Sequence, residues 1–156
     1  MSRQLIKGMT MLLLVMALAF VGAVASAYGQ SNTASRANIP FEFVVGEKTL
    51  SAGQYEVTQA APSGGVLKIS GSGQSVFRLT MNMTSSKTAE RSKLIFRRYG
   101  NRYFLAEIWK AGEHSGHQLL RSKEEAAIAR ELASIRSKTK SNRPDYERVE
   151  VALLSR

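Results

Sequence analysis

Cysteine is absent from the sequence, aspartate occurs once (Asp145), histidine twice (His114 and His117) and tryptophan once (Trp109). The first absence excludes disulfides, thiol nucleophiles, iron–sulfur clusters and cysteine-ligated zinc. The single Asp stands beside Pro144 in a polar stretch, a poor place to orient a catalytic histidine, and no G-x-S-x-G occurs. Glu42, Glu47, Glu56 and Glu107 fall at alternating or turn positions, which sets up no carboxylate pair of the glycosidase kind. Gly71-Ser72-Gly73 lacks the lysine and following helix of a phosphate loop and reads as a hairpin turn. These shortages point to a non-enzymatic protein with no cofactor.

The 156 residues are 44% hydrophobic and 22% charged, the balance of one folded domain. Arg3 and Lys7 precede an apolar run from Met11 to Ala25, and no further charge occurs before Arg36. Two positive charges, an apolar stretch and the small-residue exit Ala25-Ser26-Ala27 describe a signal peptide over 1–27, cut between Ala27 and Tyr28. Gly8 to Ala27 is also near the length that spans a bilayer, so retention as an anchor is the competing reading. With no cysteine after the run and no paired arginines before it, lipoprotein and twin-arginine export have no support. The mature chain is expected to be periplasmic or secreted, with residues 28–38 as a linker, 39–156 as a single β-rich domain, and no stable membrane span after cleavage.

Residues 28–156 hold 20 basic and 12 acidic side chains, an excess of +8. The segment 87–143 alone has fourteen basic and six acidic residues, so the excess sits in the middle of the chain. For an exported protein the polyanions at hand are envelope polymers and lipid headgroups rather than nucleic acid.

Period-2 alternation dominates residues 41–109. Phe41, Phe43 and Val45 alternate with Glu42 and Val44; Tyr55 and Val57 alternate with Glu56 and Thr58; Leu67 and Ile69 alternate with Lys68 and Ser70. In the cleanest case Phe77, Leu79, Met81 and Met83 share one face and Arg78, Thr80, Asn82 and Thr84 the other, which predicts an antiparallel strand with one wet side. Lys93 to Tyr99 and Arg102 to Trp109 predict a hairpin about Gly100-Asn101. Strict alternation from that turn puts Leu94, Phe96, Arg98, Tyr103, Leu105, Glu107 and Trp109 on one face. It puts Ile95, Arg97, Tyr99, Arg102, Phe104, Ala106 and Ile108 on the other, so apolar groups on both sides predict cover from a second sheet and a helix.

Ser122 with Glu125 forms a capping-box pattern, and Ile128, Leu132 and Ile135 form one stripe, predicting a helix over about 123–137. That narrow stripe favours packing on the sheet over lying on a membrane. Val149, Val151 and Leu153 predict a closing strand. The fold expected is mainly β: a small antiparallel β-sandwich or partly closed barrel of about seven strands with one C-terminal α-helix.

Ile39-Pro40-Phe41-Glu42-Phe43-Val44-Val45-Gly46 leading to Leu50-Ser51-Ala52-Gly53-Gln54-Tyr55, the stretch Leu94 to Trp109, and Leu119 to Arg130 resemble one family. It is a family of small, uncharacterised exported bacterial proteins with a signal peptide and an IPF-F-V-G…L-AG-Y β-hairpin. The resemblance implies export and a shared β fold, and brings no catalytic residues. Ser51 stands where the family has Pro, a departure that loosens a turn without changing the fold.

Arg97, Arg98 and Arg102 with Tyr99 and Tyr103 gather guanidinium forks and aromatic faces at the hairpin tip, a group suited to phosphate, carboxylate or sugar. The reading is an exported envelope protein that binds or organises an anionic envelope polymer or lipid headgroups through this tip. The bland alternative keeps the aromatics in the core with the arginine stems covering them. Two other classes stand beside it: a carrier of small apolar molecules with a cavity lined by Phe77, Leu79, Met81 and Phe96, and a metal-dependent enzyme at His114 and His117, an H-x-x-H lacking a third strong ligand.

Overall fold

A computed structural model describes residues 34–61, 65–139 and 144–155 of the chain. The expected signal peptide and its cleavage site at Ala27 and Tyr28 lie outside the described residues. The compact unit beginning at Thr33 is mainly β, with eleven strands and one helix among the described residues. They are β1 (Ser35–Ile39), β2 (Phe43–Val45), β3 (Lys48–Leu50), β4 (Gly53–Gln59), β5 (Val66–Gly71), β6 (Gln74–Thr84), β7 (Lys93–Tyr99), β8 (Arg102–Trp109), β9 (Ser115–Leu119), α1 (Lys123–Thr139), β10 (Glu147–Ala152) and β11 (Leu154–Ser155).

The count exceeds seven because several short strands of two to five residues, β1, β3 and β11 among them, add to it. One of these, β1, begins inside the stretch read as a linker: Ser35 to Ile39 pair with β4, and Ser35 and Arg36 also pair with β11. Its alternate residues Ala37 and Ile39 are buried, so the domain starts earlier than position 39.

The strands follow the order β10-β7-β8-β9-β6-β5-β4-β1-β11 and fold over one core as an open sandwich. The long β6 bridges the layers, pairing with β5 through residues 74–79 and with β9 through residues 80–84. At the other side the chain changes layer at buried Leu153, between β10 on β7 and β11 on β1. Ile39, Tyr55, Val57, Leu67 and Ile69 meet Leu94, Phe96, Leu105 and Ile108 inside, with Phe43 and Val45 of β2 between them. Phe96 anchors this interior, taking the edges of Phe41 and Phe43 at centroid distances of 5.2 and 5.5 Å.

The turns follow from glycine. Gly100 (φ +59°) leads a two-residue turn between Tyr99 and Arg102, as a type II′ hairpin requires. Ser72 and Gly73 both lie at positive φ between paired Gly71 and Gln74, the type I′ form.

Strict alternation fails at one place in β7–β8. Ile95 pairs with Glu107 but Phe96 with Leu105, which leaves Ala106 as the extra residue of a β-bulge. The bulge reverses the phase beyond Leu105. Ile108 therefore joins Leu94, Phe96 and Leu105 in the core, while Glu107 and Trp109 move to the outer face with Ile95 and Arg97, opposite to the expected assignment.

That outer face is covered at one end by α1: Ile128, Ala129 and Leu132 pack on Val44, Tyr99 and Phe104. Cover by both a sheet and a helix matches the apolar residues on both sides of the hairpin. Ile135, the last member of the helical stripe, is exposed.

The second departure is in β6. Val76 points inward with its β5 neighbours Leu67 and Ile69, which sends Phe77, Leu79 and Met81 outward at 58%, 69% and 50% exposure. The expected core face of this strand is its solvent face.

Candidate functional site

The expected binding group at the hairpin tip divides between the two faces of its own hairpin. Arg97 is buried and its guanidinium grips Glu125, also buried, with Nε 2.5 Å from Oε1 and Nη2 3.3 Å from Oε2. The Tyr99 hydroxyl donates to the same Oε1 at 3.3 Å, and Arg121 Nε lies 3.8 Å away. Burial, with the carboxylate of Glu125 beside it, pushes the Tyr99 phenol above its ordinary pKa. Arg98 donates to the Gly100 carbonyl at 2.7 Å and to Glu147 at 3.1 Å, and Arg102 pairs with Glu124. Tyr103 stacks on Phe41 at 3.9 Å. Each of the three arginines thus already has a carboxylate from this chain.

Sequence reasoning takes Glu125 as half of a capping box. Ser122 does its part, accepting the Glu125 backbone N–H at 3.0 Å, whereas the Glu125 carboxylate turns to Arg97 on the sheet. The helix start and the sheet are joined by that ion pair.

The two histidines take different partners. His114 Nε2 is hydrogen-bonded to Thr88 Oγ1 at 3.1 Å, and His117 Nε2 accepts from the Gln59 amide at 3.3 Å. The His117 Nδ1 is buried without a partner. Burial pulls the His117 pKa below the usual imidazole range, Lys110 adds to the effect and Glu113 opposes it. Among the described residues no three His, Cys, Asp or Glu side chains gather as a metal site. Phe77, Leu79 and Met81 stand outside while Phe96 is sealed in the core, so these four do not line a common cavity.

A cleft that sequence reasoning missed opens at the other end of the same hairpin. It has a volume of ≈ 450 Å³ and lies over the part of the outer face that α1 leaves uncovered. Its floor is Ile95 and Trp109; Lys93, Arg148 and Glu150 form one side, and Lys87, Thr88, Glu90 and Arg91 of the loop after β6 form the other. Four cations thus face two carboxylates. Lys93 is paired with Glu150 at 2.7 Å, and Arg148 with Glu107 at 3.1 Å, while among the described residues Lys87 and Arg91 form no ion pair.

The cleft is held by backbone bonds that the primary sequence does not reveal. The Ser85 N–H donates to the His114 carbonyl at 2.8 Å, the Ala89 N–H to the Glu113 carbonyl at 3.1 Å, and the Gly112 N–H to the Ala89 carbonyl at 2.9 Å. The loop is therefore fastened to the β8–β9 connection, with His114 as a side-chain clasp. Below it, Trp109 Nε1 donates to Glu107 Oε2 at 2.9 Å, which fixes the indole. Trp109 also lies on Gly116, where a Cβ would stand only 2.8 Å from the ring. Chemically the arrangement is a rigid aromatic floor with cations around it, suited to a phosphate or carboxylate joined to a flat or apolar body. The signal that could have found it is the basic residues of 87–93; the bulge that sends Trp109 outward is a feature of the pairing and not of the sequence.

No family model, curated protein or solved structure matches the chain. Among the described residues no helix is long and apolar enough to cross a membrane.

Proposed function

We propose that this is an exported, non-enzymatic protein of the periplasm or cell exterior that binds an anionic envelope component, with the cleft above Trp109 as its contact site. One observation carries the choice of site: among the described residues Lys87 and Arg91 form no ion pair and share their side of the cleft with a single carboxylate, Glu90, beside a fixed indole, whereas the tip arginines are each paired within the chain. The signal-like segment at 1–27 and the basic excess of 87–143 support export and an anionic partner.

Trp109, the only tryptophan, makes the test direct. Titration of the mature protein with soluble polyphosphate is expected to change its emission, and the response is expected to vanish near 1 M salt, where the screening length falls to about 3 Å. An unchanged emission with no binding by calorimetry at low salt contradicts the reading.

A further inference from the structure

The outer side of β6 is unlike the rest of its layer. Phe77, Leu79 and Met81 project from it, and the span from Phe77 to Met83 is about 20 Å at roughly 3.3 Å per residue. The strand is not free to turn this face inward. Its register on β5 sets Phe77 opposite Lys68 and Leu79 opposite Val66, while Val76 sits in the core. An apolar row of this size held in solvent marks a contact surface.

Register also connects the row to the cleft. Met83 pairs with Gly116, and Gly116 with Trp109, so the row ends two strands from the cleft floor, about 10 Å away. Lys68 Nζ lies 6.0 Å from the Phe77 ring centroid at the far end, and Lys87 and Arg91 lie in the loop after β6 at the near end. Apolar side chains are thus bracketed by cations along the outer side of β6, the strand that passes from one layer to the other.

We infer that this face docks on an anionic lipid bilayer, with Phe77, Leu79 and Met81 entering the boundary between headgroups and acyl chains and the cleft cations meeting lipid phosphates. The inference rests on the anion-binding reading and names its source of anions. Charge complementarity selects this occupant. A second copy of the chain would bring the same cations and a mature charge of +8 against itself. A soluble polyanion satisfies Lys87 and Arg91 and leaves the apolar row in water. A bilayer of acidic lipid matches both features.

The test is co-sedimentation with vesicles of phosphatidylcholine, with and without about 30% phosphatidylglycerol, beside the polyphosphate titration. The variant is Phe77→Thr with Leu79→Thr, exposed positions where threonine keeps strand preference; its melting curve verifies folding. The mature protein is expected to sediment with the acidic vesicles only. The double variant is expected to lose roughly tenfold or more of that binding while titrating polyphosphate like the unmodified protein. Undiminished vesicle binding by the double variant overturns the bilayer inference and leaves the anion-binding reading standing. Failure of the unmodified protein to bind either vesicles or polyphosphate overturns both. A dimer that becomes a monomer in the double variant, with no vesicle binding by the unmodified protein, overturns the inference in favour of a second copy.

Discussion

Glu125 is where a single side chain carries most at the residue scale. It is 2% exposed and faces Arg97 at 6%, so removing the carboxylate leaves a guanidinium buried and uncompensated. We expect Glu125→Ala to cost about 3–5 kcal/mol in a denaturant melt, against at most about 1 kcal/mol for Arg98→Ala, whose partner Glu147 is largely exposed. Equal, small losses for both would show that the buried pair does not tie α1 to the sheet. His117 gives a second expectation. Its pKa is lowered in the folded state, so the unfolded chain takes up the proton first, and stability falls as pH drops below about 6.5 through the lowered value. His117→Gln is expected to flatten that part of a plot of Tm against pH, and an unchanged slope would contradict the assignment. The sequence disclosed the Ser122 cap because that interaction spans three residues. The Glu125–Arg97 pair spans 28 and depends on how the helix lands, which no local pattern encodes.

At the scale of the element, the β7–β8 hairpin was legible in its turn and its two-sided cover. It was not legible in its phase beyond Leu105. Gly100 announces the turn through its left-handed backbone, but a bulge leaves no residue-specific mark, and Ala106 fits a strand as readily as a bulge. The consequence can be tested by deletion. Removing Ala106 restores simple pairing and keeps Glu107, Ile108 and Trp109 on their present faces, so that variant is expected to fold with a modest loss. Removing Leu105 instead puts Ala106 opposite Phe96 in the core and costs about 2–5 kcal/mol, as a Leu→Ala change does. Equal thermal stability of the two deletions would argue against the bulge. Strand β6 shows the converse limit: its alternation was read correctly, yet alternation alone does not say which face is inside. Val76 and the register on β5 decide it.

For the whole molecule, composition and periodicity sufficed for a mainly β sandwich with one C-terminal helix. The short strands β1 and β11 escaped because their pairing comes from distant segments, and β3 because three residues after a turn carry little pattern of their own. The basic block was legible as a block, but its fate was not. Folding spends Arg97, Arg98 and Arg102 on Glu125, Glu147 and Glu124, and leaves Lys87 and Arg91 facing an open cleft. The net charge of a segment therefore does not say which of its cations are paired within the chain. The most direct measurement is the Trp109 polyphosphate titration of two double variants in parallel, Lys87→Ala with Arg91→Ala and Arg98→Ala with Arg102→Ala. Both remove two charges, so bulk electrostatics affects them alike. The cleft variant is expected to bind roughly tenfold more weakly, consistent with the loss of one or two charge-assisted contacts, and the tip variant to stay within about twofold of the unmodified protein. Loss of binding in the tip variant with the cleft variant unaffected would contradict the cleft as the site.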